Sequence, residues 1–325
     1  MNSIAAVGAS LKALLRRTAP DAYDAMVVWR NGSAVKALAG APTRFRARRI
    51  VRSHRPFRID ICARMGLGAT LMNLLILHHR FDREPGLKKI VASNPLFTTE
   101  GSRPDAIDSF FERHDAALDE ECETIPFGHP FDISTHSLTE GLTILRAHDL
   151  FNKHYAVRPR FMDEARTFLD SGASEVLGVH FRGSDKRMEA PRIAWDRIAA
   201  TVDSSLDRRG TDSIFVATDE LSFLRFMEQR YGGAKVRALD CRYLSDGPVP
   251  AHFQPGDGFE KGREALVTML ILSMCKLCVR VPSNLSAFSK ILNPALPMVT
   301  LGEPYPPIPF PENEILSQAA APASQ

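Results

Sequence analysis

The second half of the chain alternates short apolar segments with longer amphipathic ones, and this alternation restricts the fold more than any other feature of the sequence. The apolar segments have strand length and lie at 175–181, 213–218, 235–239, 277–281 and 297–301. The segments with helical periodicity lie at 161–169, 192–206, 221–231, 261–275 and 285–292. Strands that alternate with helices form a parallel sheet. The sequence therefore predicts an α/β fold whose ligand crevice lies at the carboxyl ends of the strands.

The first half contains a similar arrangement around two glycines. A short apolar strand at 59–63 is followed by Gly66 and Gly68, then by an apolar helix over 70–77, and a further strand lies at 88–93. Such glycines let backbone amides approach a ligand, and the N-terminus of the following helix favours an anion. An ordinary strand–helix turn explains the same residues, since a single GxG is weak evidence. Residues 101–150 indicate helices and loops without a site.

The size of the chain fits two such units. Its 325 residues correspond to about two domains of ordinary size or to one large one. We expect α/β domains over 1–160 and 161–317, and a disordered tail rich in Ala, Ser and Pro over 318–325. The composition, 44% hydrophobic and 24% charged, excludes wholesale disorder, and a net charge of +3 is too small to imply a nucleic-acid partner. No apolar run approaches the roughly 18 residues of a membrane span.

The cysteines indicate a reducing compartment. There are five, an odd and widely spread set that argues against a disulfide framework. Cys275 and Cys278 form a CxxC inside an apolar run without a second ligand pair, so we expect two buried core thiols rather than a zinc site. The N-terminus does not follow the order of a signal peptide, because its basic residues come after the apolar stretch. A cytoplasmic location is expected.

Residues 44–58 carry an unusual density of arginine. Seven of the fifteen residues from Arg44 to Arg58 are arginines. A solvated edge or helix face explains them, and so does a strip that binds anionic lipid headgroups or a charged acceptor. The second interpretation predicts peripheral contact with an anionic membrane.

Three polar clusters follow predicted strands of the second half. They are His180 to Lys186, Thr218 to Glu220, and Pro282 to Asn284. Helix N-caps explain Asp219 and Ser283 equally well. His180 and Arg182 alternate with Val179 and Phe181 along one strand, so they share one face. An arginine at a sheet crevice suits a phosphate, to which its guanidinium donates paired hydrogen bonds.

The first of these clusters carries a family resemblance. Residues 178–186, GVHFRGSDK, resemble the HxRxxDK motif of the fucosyltransferase superfamily that uses GDP-fucose. This superfamily includes the nodulation and animal core α1,6-fucosyltransferases and the protein O-fucosyltransferases. Segments 215–220 and 262–286 agree with the family in order and spacing, and 64–68 resembles its N-terminal glycine loop. The similarity covers 178–301 well and 59–95 loosely.

The resemblance implies a GT-B fold, in which two Rossmann-like domains face each other. The C-terminal domain would hold the nucleotide-sugar donor and the N-terminal domain would face the acceptor. Inverting transfer of fucose from GDP-β-L-fucose without a metal or other cofactor is expected. The sequence is consistent with transfer without a metal, because no two aspartates lie at the DxD spacing that binds a divalent cation. Arg182, Lys186 and helix N-termini would then offset charge on the leaving diphosphate.

The resemblance also implies roles for single residues. Arg182 would bind the β-phosphate, His180 would contact the guanine, and Asp185 and Lys186 would lie beside the sugar and the phosphate. Ser283 and Asn284 would bind the diphosphate at the N-terminus of their helix. Gly66 and Gly68 would contact the diphosphate from the other domain. Asp219 would line the donor pocket. Glu189, near the position of a catalytic carboxylate in the α1,6 branch, is the candidate general base; an exposed loop carboxylate is the alternative.

The sequence departs from the family at three positions. Ala69 stands where the family often has Asn, and Thr268 stands where the α1,6 branch has an Asp that reads guanine. Glu264, one helical turn earlier, could accept hydrogen bonds from guanine instead. Gly183 replaces the second of two paired arginines.

Two functions follow from these residues. The first is a bacterial-type, metal-independent glycosyltransferase that moves fucose or a related 6-deoxyhexose from GDP to a saccharide or glycoconjugate hydroxyl. The alternative, favoured by Ala69 and Thr268, is a nucleotide-sugar-binding protein of the same fold without turnover. An NAD- or SAM-dependent enzyme is disfavoured, because the turn at 64–69 lacks the full GxGxxG.

Overall fold

The structure is a computed structural model. It describes residues 49–51, 53, 55–62, 64–94, 96–97, 105–114, 122–127, 139–170, 175–183, 192–209, 211–244, 251–302 and 310–320.

Strands and helices alternate along most of the described chain. The strands are β1 (Phe57–Ile61), β2 (Leu87–Val91), β3 (Phe111–Arg113), β4 (Glu123–Phe127), β5 (Tyr155–Val157), β6 (Val176–Phe181), β7 (Ser213–Thr218), β8 (Val236–Arg237), β9 (Leu277–Arg280) and β10 (Met298–Thr300). The helices are α1 (Leu67–Phe81), α2 (Ala106–Phe110), α3 (Ile144–His154), α4 (Pro159–Asp170), α5 (Trp195–Arg209), α6 (Leu221–Tyr231), α7 (Gly258–Met274), α8 (Asn284–Leu292) and α9 (Glu312–Ala320).

The N-terminal half forms a parallel sheet of order β2-β1-β4 among the described strands. The prediction of helices and loops over 101–150 is wrong at β3, which pairs with β5, and at β4, which pairs with β1 along its whole length. Only Ile125 of β4 is buried, and Pro126 interrupts the pattern. Such a strand lacks the apolar run or the clear alternation by which strands are recognised, and an edge position tolerates its proline.

The C-terminal half forms a parallel sheet of order β10-β9-β6-β7-β8 among the described strands. Every residue of β6 is buried, as expected for a central strand covered on both faces. Register pairs His180 with Arg280 on β9 and Phe181 with Thr218 on β7. The carboxyl ends of β6, β7 and β9 therefore meet at one edge.

Helices join the two sheets into one body. α1 packs against α8, and α7 packs against α4 and α8, within a continuous apolar core. The predicted boundary at 160/161 falls in the first turn of α4. α9 packs against β10, and its Glu314 accepts a hydrogen bond from the Ile144 amide at the start of α3 at 2.7 Å. α9 ends at Ala320, beyond residue 317, where the sequence predicts that order ends.

The paired cysteines are core thiols, as the sequence predicts. Cys275 and Cys278 are buried and free, and burial raises the pKa of Cys278 to about 12. Among the residues that the structure describes, no three His, Cys, Asp or Glu side chains are placed to share a metal ion. Likewise, no described helix is long and apolar enough to cross a bilayer.

Candidate functional site

A cavity of about 530 Å³ lies where the carboxyl ends of β6, β7 and β9 face the N-terminus of α1. It brings together every predicted site residue that the structure describes. These are Gly66, Gly68, His180, Arg182, Asp219, Glu264, Thr268, Ser283 and Asn284. Asp185, Lys186 and Glu189 lie outside the described residues, so their roles remain predictions.

Two helix N-termini meet at this cavity. α1 begins after Gly66, α8 begins after Ser283, and neither helix has an acidic residue in its first turn. A Cβ atom on Gly68 would lie 2.7 Å from the Leu285 nitrogen, so the two backbones are closer than any side chain would allow. Because N-terminal amides carry partial positive charge, their convergence disfavours a cation and favours an anion between them.

Ser283 has the capping role that the sequence left open. Its hydroxyl oxygen accepts a hydrogen bond from the Leu285 amide at 3.4 Å. It is thus both the N-cap of α8 and part of the cavity wall. α1, by contrast, has Gly66 as N-cap and no side-chain hydrogen bond there.

Asp219 does not cap α6. The N-cap is Glu220, and the Asp219 carboxylate instead accepts a hydrogen bond from the Gly183 amide at 3.1 Å. This bond joins the segments that follow β6 and β7. The bond thereby fixes the position of the backbone at Gly183, immediately after Arg182. The Arg182 side chain is half-buried and lines the cavity.

Gly183 is required by a neighbouring ion pair. A Cβ atom at this position would collide with the Glu220 carboxylate. Glu220 is buried and accepts a hydrogen bond from Arg192 Nη2 at 2.7 Å. A second arginine at 183, as in the α1,6 branch, has no room beside this pair.

His180 and Phe181 occupy opposite faces of β6, as their alternation predicts. His180 is buried and lines the cavity. Phe181 packs on Phe223 of α6, with ring centroids 4.4 Å apart. The strand therefore directs His180 towards the cavity and Phe181 into a second core cluster.

Glu264 and Thr268 form a polar wall on α7. The Glu264 carboxylate accepts a hydrogen bond from the Arg242 amide at 3.0 Å, and the Thr268 hydroxyl donates to the Glu264 carbonyl at 2.7 Å. Burial raises the pKa of Glu264, outweighing the Arg242 amide and the Arg263 charge, which lower it. Burial and the Glu264 charge also raise the pKa of the neighbouring Cys241 to about 12, so this thiol stays protonated.

Several cavity residues were missed from the sequence. Tyr243 and His252 come from the connection between β8 and α7, and Lys261 lies in the first turn of α7, where its ammonium group donates to the Gln254 carbonyl. Glu312 enters the cavity wall from α9. No local pattern connects these positions to the strand ends, because folding alone brings them there.

Comparison with known proteins identifies the fold. No protein-family model matches the chain, and no curated protein sequence matches it. The structure is similar to that of NodZ α-1,6-fucosyltransferase soaked with GDP-fucose, at 16% identity over 74% of this chain and 93% of that chain, with a TM-score of 0.51. It is also similar to the fucosyltransferase NodZ from Bradyrhizobium, at 17% identity over 74% of this chain and 94% of that chain, with a TM-score of 0.50. A third similar structure is NodZ α-1,6-fucosyltransferase co-crystallized with GDP, at 16% identity over 77% of this chain and 96% of that chain, with a TM-score of 0.51. The predicted GT-B-like α/β fold is confirmed.

Proposed function

We propose that the protein is a glycosyltransferase that transfers fucose, or a related 6-deoxyhexose, from GDP-fucose to a hydroxyl of a saccharide or glycoconjugate. One observation carries this proposal: two helix N-termini and Arg182 line a single cavity at the strand ends. The fold is that of NodZ, an α-1,6-fucosyltransferase whose crystals were soaked with GDP-fucose.

The diphosphate of the donor is proposed to lie between the N-termini of α1 and α8. Arg182 would donate charge-assisted hydrogen bonds to the β-phosphate, and the backbone at Ser283 and Asn284 would donate amide hydrogen bonds. Gly66 and Gly68 would approach from the opposite side without side chains in the way. Lys186, outside the described residues, would add a second positive charge.

The guanine is proposed to lie against α7. Ionised Glu264 would accept hydrogen bonds from the base, with Thr268 beside it and His180 on the sheet side. The Asp219 carboxylate, held by the Gly183 amide, would line the donor pocket towards the ribose and sugar. Glu264 thus replaces the aspartate that the α1,6 branch has at the position of Thr268.

The reaction is proposed to be a single displacement with inversion and without a metal. The acceptor oxygen forms a bond to the anomeric carbon as the bond from that carbon to the β-phosphate oxygen breaks. Glu189 would take the acceptor proton, with Asp185 beside the sugar. Arg182 and the helix N-termini would stabilise the charge that develops on departing GDP.

Calorimetric titration with GDP, GDP-fucose, UDP and ADP in EDTA tests this function. We expect selective micromolar binding of the two guanine nucleotides, followed by fucosyl transfer in an acceptor screen. Equal or absent binding of all four nucleotides would contradict the donor site. Selective binding without turnover on any acceptor would favour the inactive nucleotide-sugar-binding protein.

The pKa of Glu264 predicts a pH dependence of base recognition. Because burial raises this pKa, the carboxylate becomes protonated at a higher pH than an ordinary glutamate. Guanosine affinity should therefore fall as the pH is lowered from neutral through the raised pKa, since a protonated carboxyl accepts fewer hydrogen bonds. Guanosine is the ligand of choice because it has no phosphate that titrates.

The matched control for this pH dependence is Glu264→Gln, which should bind guanosine more weakly and with a flat profile. An equal fall in affinity in both proteins would assign the titration to another group.

The arginine-rich segment supports a proposal about location. Arg49, Arg55 and Arg58 are exposed, and Arg58 Nε donates to the Thr124 hydroxyl at 2.8 Å; residues 44–48 lie outside the described residues. We place the protein in the cytoplasm, with residues 44–58 on an anionic membrane that presents a lipid-linked acceptor. Replacing Arg46, Arg49 and Arg55 with serine should lower binding to anionic liposomes, and unchanged binding would contradict the contact.

A further inference from the structure

A buried ion pair lies next to the turn between β9 and α8, at the wall of the cavity. Arg280 is the last residue of β9 and its side chain is fully buried. Its two terminal nitrogens each donate to an oxygen of Glu312, the first residue of α9, at 2.6 Å. Glu312 is itself part of the cavity wall. This fork-to-fork geometry fixes the orientation of the guanidinium more tightly than a single hydrogen bond would.

The same guanidinium holds the turn that begins α8. Arg280 Nη2 donates to the Ser283 carbonyl at 3.0 Å, and Nε donates to the Ser286 hydroxyl at 2.8 Å. The backbone on either side is tied down as well, since the Leu301 amide donates to the Arg280 carbonyl and the Val281 amide donates to the His180 carbonyl. Arg280 is thus the link between α9 and the backbone of Pro282, Ser283 and Asn284.

The direction of these bonds matters for an anion in the cavity. The Ser283 carbonyl accepts a hydrogen bond from Arg280 Nη2 at 3.0 Å and another from the Ala287 amide at 2.9 Å, so Arg280 reinforces a carbonyl that the first turn of α8 also holds. A peptide carbonyl held on one side leaves the amide of the next residue directed to the other, so the orientation of the turn sets that of the first amides of α8. Replacing a buried ion pair with apolar groups often costs little stability, so a contribution to stability does not by itself explain such a pair.

We propose that Arg280 and Glu312 are positioning residues for the diphosphate of the donor. Glu312 orients Arg280, Arg280 holds the Ser283 carbonyl and the Ser286 hydroxyl, and the N-terminal amides of α8 thereby stay directed at the diphosphate. Neither side chain binds the ligand itself. This inference rests on the proposed function, and it adds a contribution of the C-terminal helix to donor binding.

The test compares two ligands that differ only in the diphosphate. Glu312→Gln keeps the volume of the side chain and removes its charge. We expect the Kd of GDP to rise about tenfold or more, because a charge-assisted pair is broken, while the Kd of guanosine changes less than about twofold. A purely structural role would weaken both ligands together, so the ratio of the two constants separates positioning from folding.

The matched control is Glu314→Gln on the same helix. It removes the carboxylate charge at the Ile144 amide, away from the cavity, and should lower the thermal midpoint without changing the ratio of GDP to guanosine affinity. Should Glu312→Gln fail to fold, Arg280→Lys serves instead, since lysine keeps the charge but lacks the planar fork.

The outcomes separate the two proposals. An unchanged ratio in the variants, with GDP binding intact in the unsubstituted protein, overturns the positioning role alone. An unsubstituted protein that does not bind GDP overturns both the positioning role and the donor site.

Discussion

Replacing Arg182 with alanine should lower the rate of fucosyl transfer by roughly 30- to 1,000-fold, corresponding to about 2–4 kcal/mol of barrier. The side chain extends into the cavity from the end of β6, near the two helix N-termini. We expect its guanidinium to bind the β-phosphate more strongly as negative charge grows on it in the transition state. The loss should therefore appear in kcat as well as in the affinity for GDP.

Two variants make the Arg182 experiment specific. Arg182→Lys keeps the charge but not the paired hydrogen bonds, so it should recover only part of the activity. Arg225→Ala removes an exposed arginine of α6 and should leave transfer unchanged. Near-normal turnover in Arg182→Ala would overturn the proposed position of the diphosphate.

Replacing Gly68 with alanine should separate the two helix N-termini. The added Cβ atom would lie 2.7 Å from the Leu285 nitrogen and 2.8 Å from the Asn284 carbonyl carbon, and neither backbone atom can rotate away. Overpacking of this kind typically costs about 1–3 kcal/mol of folding free energy. The better helix propensity of alanine offsets up to about 1 kcal/mol of that cost. A lower thermal midpoint and a weaker affinity for GDP are the expected results.

Gly66→Ala is the matched control for stability. Its added Cβ atom would meet nothing closer than the His252 ring at 3.9 Å, and its backbone, at φ −60° and ψ 155°, is one that alanine adopts without strain. The thermal midpoint of this variant should change little, because the lower entropy of the unfolded chain offsets the poorer N-cap preference of alanine. Equal midpoints for Gly68→Ala and Gly66→Ala would show that α1 and α8 are farther apart in solution.

Most of the proposed donor site could be located from the sequence, because its residues come directly after strands or stand at the start of helices. Parallel strands end at one edge of a sheet, so His180, Asp219 and Ser283 are brought together by the strand pattern alone. The same reasoning places Gly66 and Gly68 at the start of a helix. Cys275 and Cys278 were recognised as core thiols, because apolar surroundings exclude the other ligands that zinc needs.

Other features depend on contacts that no local pattern encodes. β4 was missed because only Ile125 of its five residues is buried. The bond from the Gly183 amide to Asp219 exists only because β6 and β7 are neighbours. The absence of a side chain at Gly183 is explained by the Glu220–Arg192 pair, in which the partners are 28 residues apart.

Apolar periodicity and turn residues act over a few positions, so parallel sheets and the residues that end their strands could be predicted from the sequence. The close approach of Gly68 to the backbone of α8, and the ion pair next to the turn at Ser283, depend on the complete fold. Arg280 and Glu312 lie 32 residues apart and pair because α9 packs against β10. The conformational preference of a residue acts within about one turn of chain. Desolvation and ion pairing instead act between any groups that the complete fold buries together, however far apart they lie in the sequence.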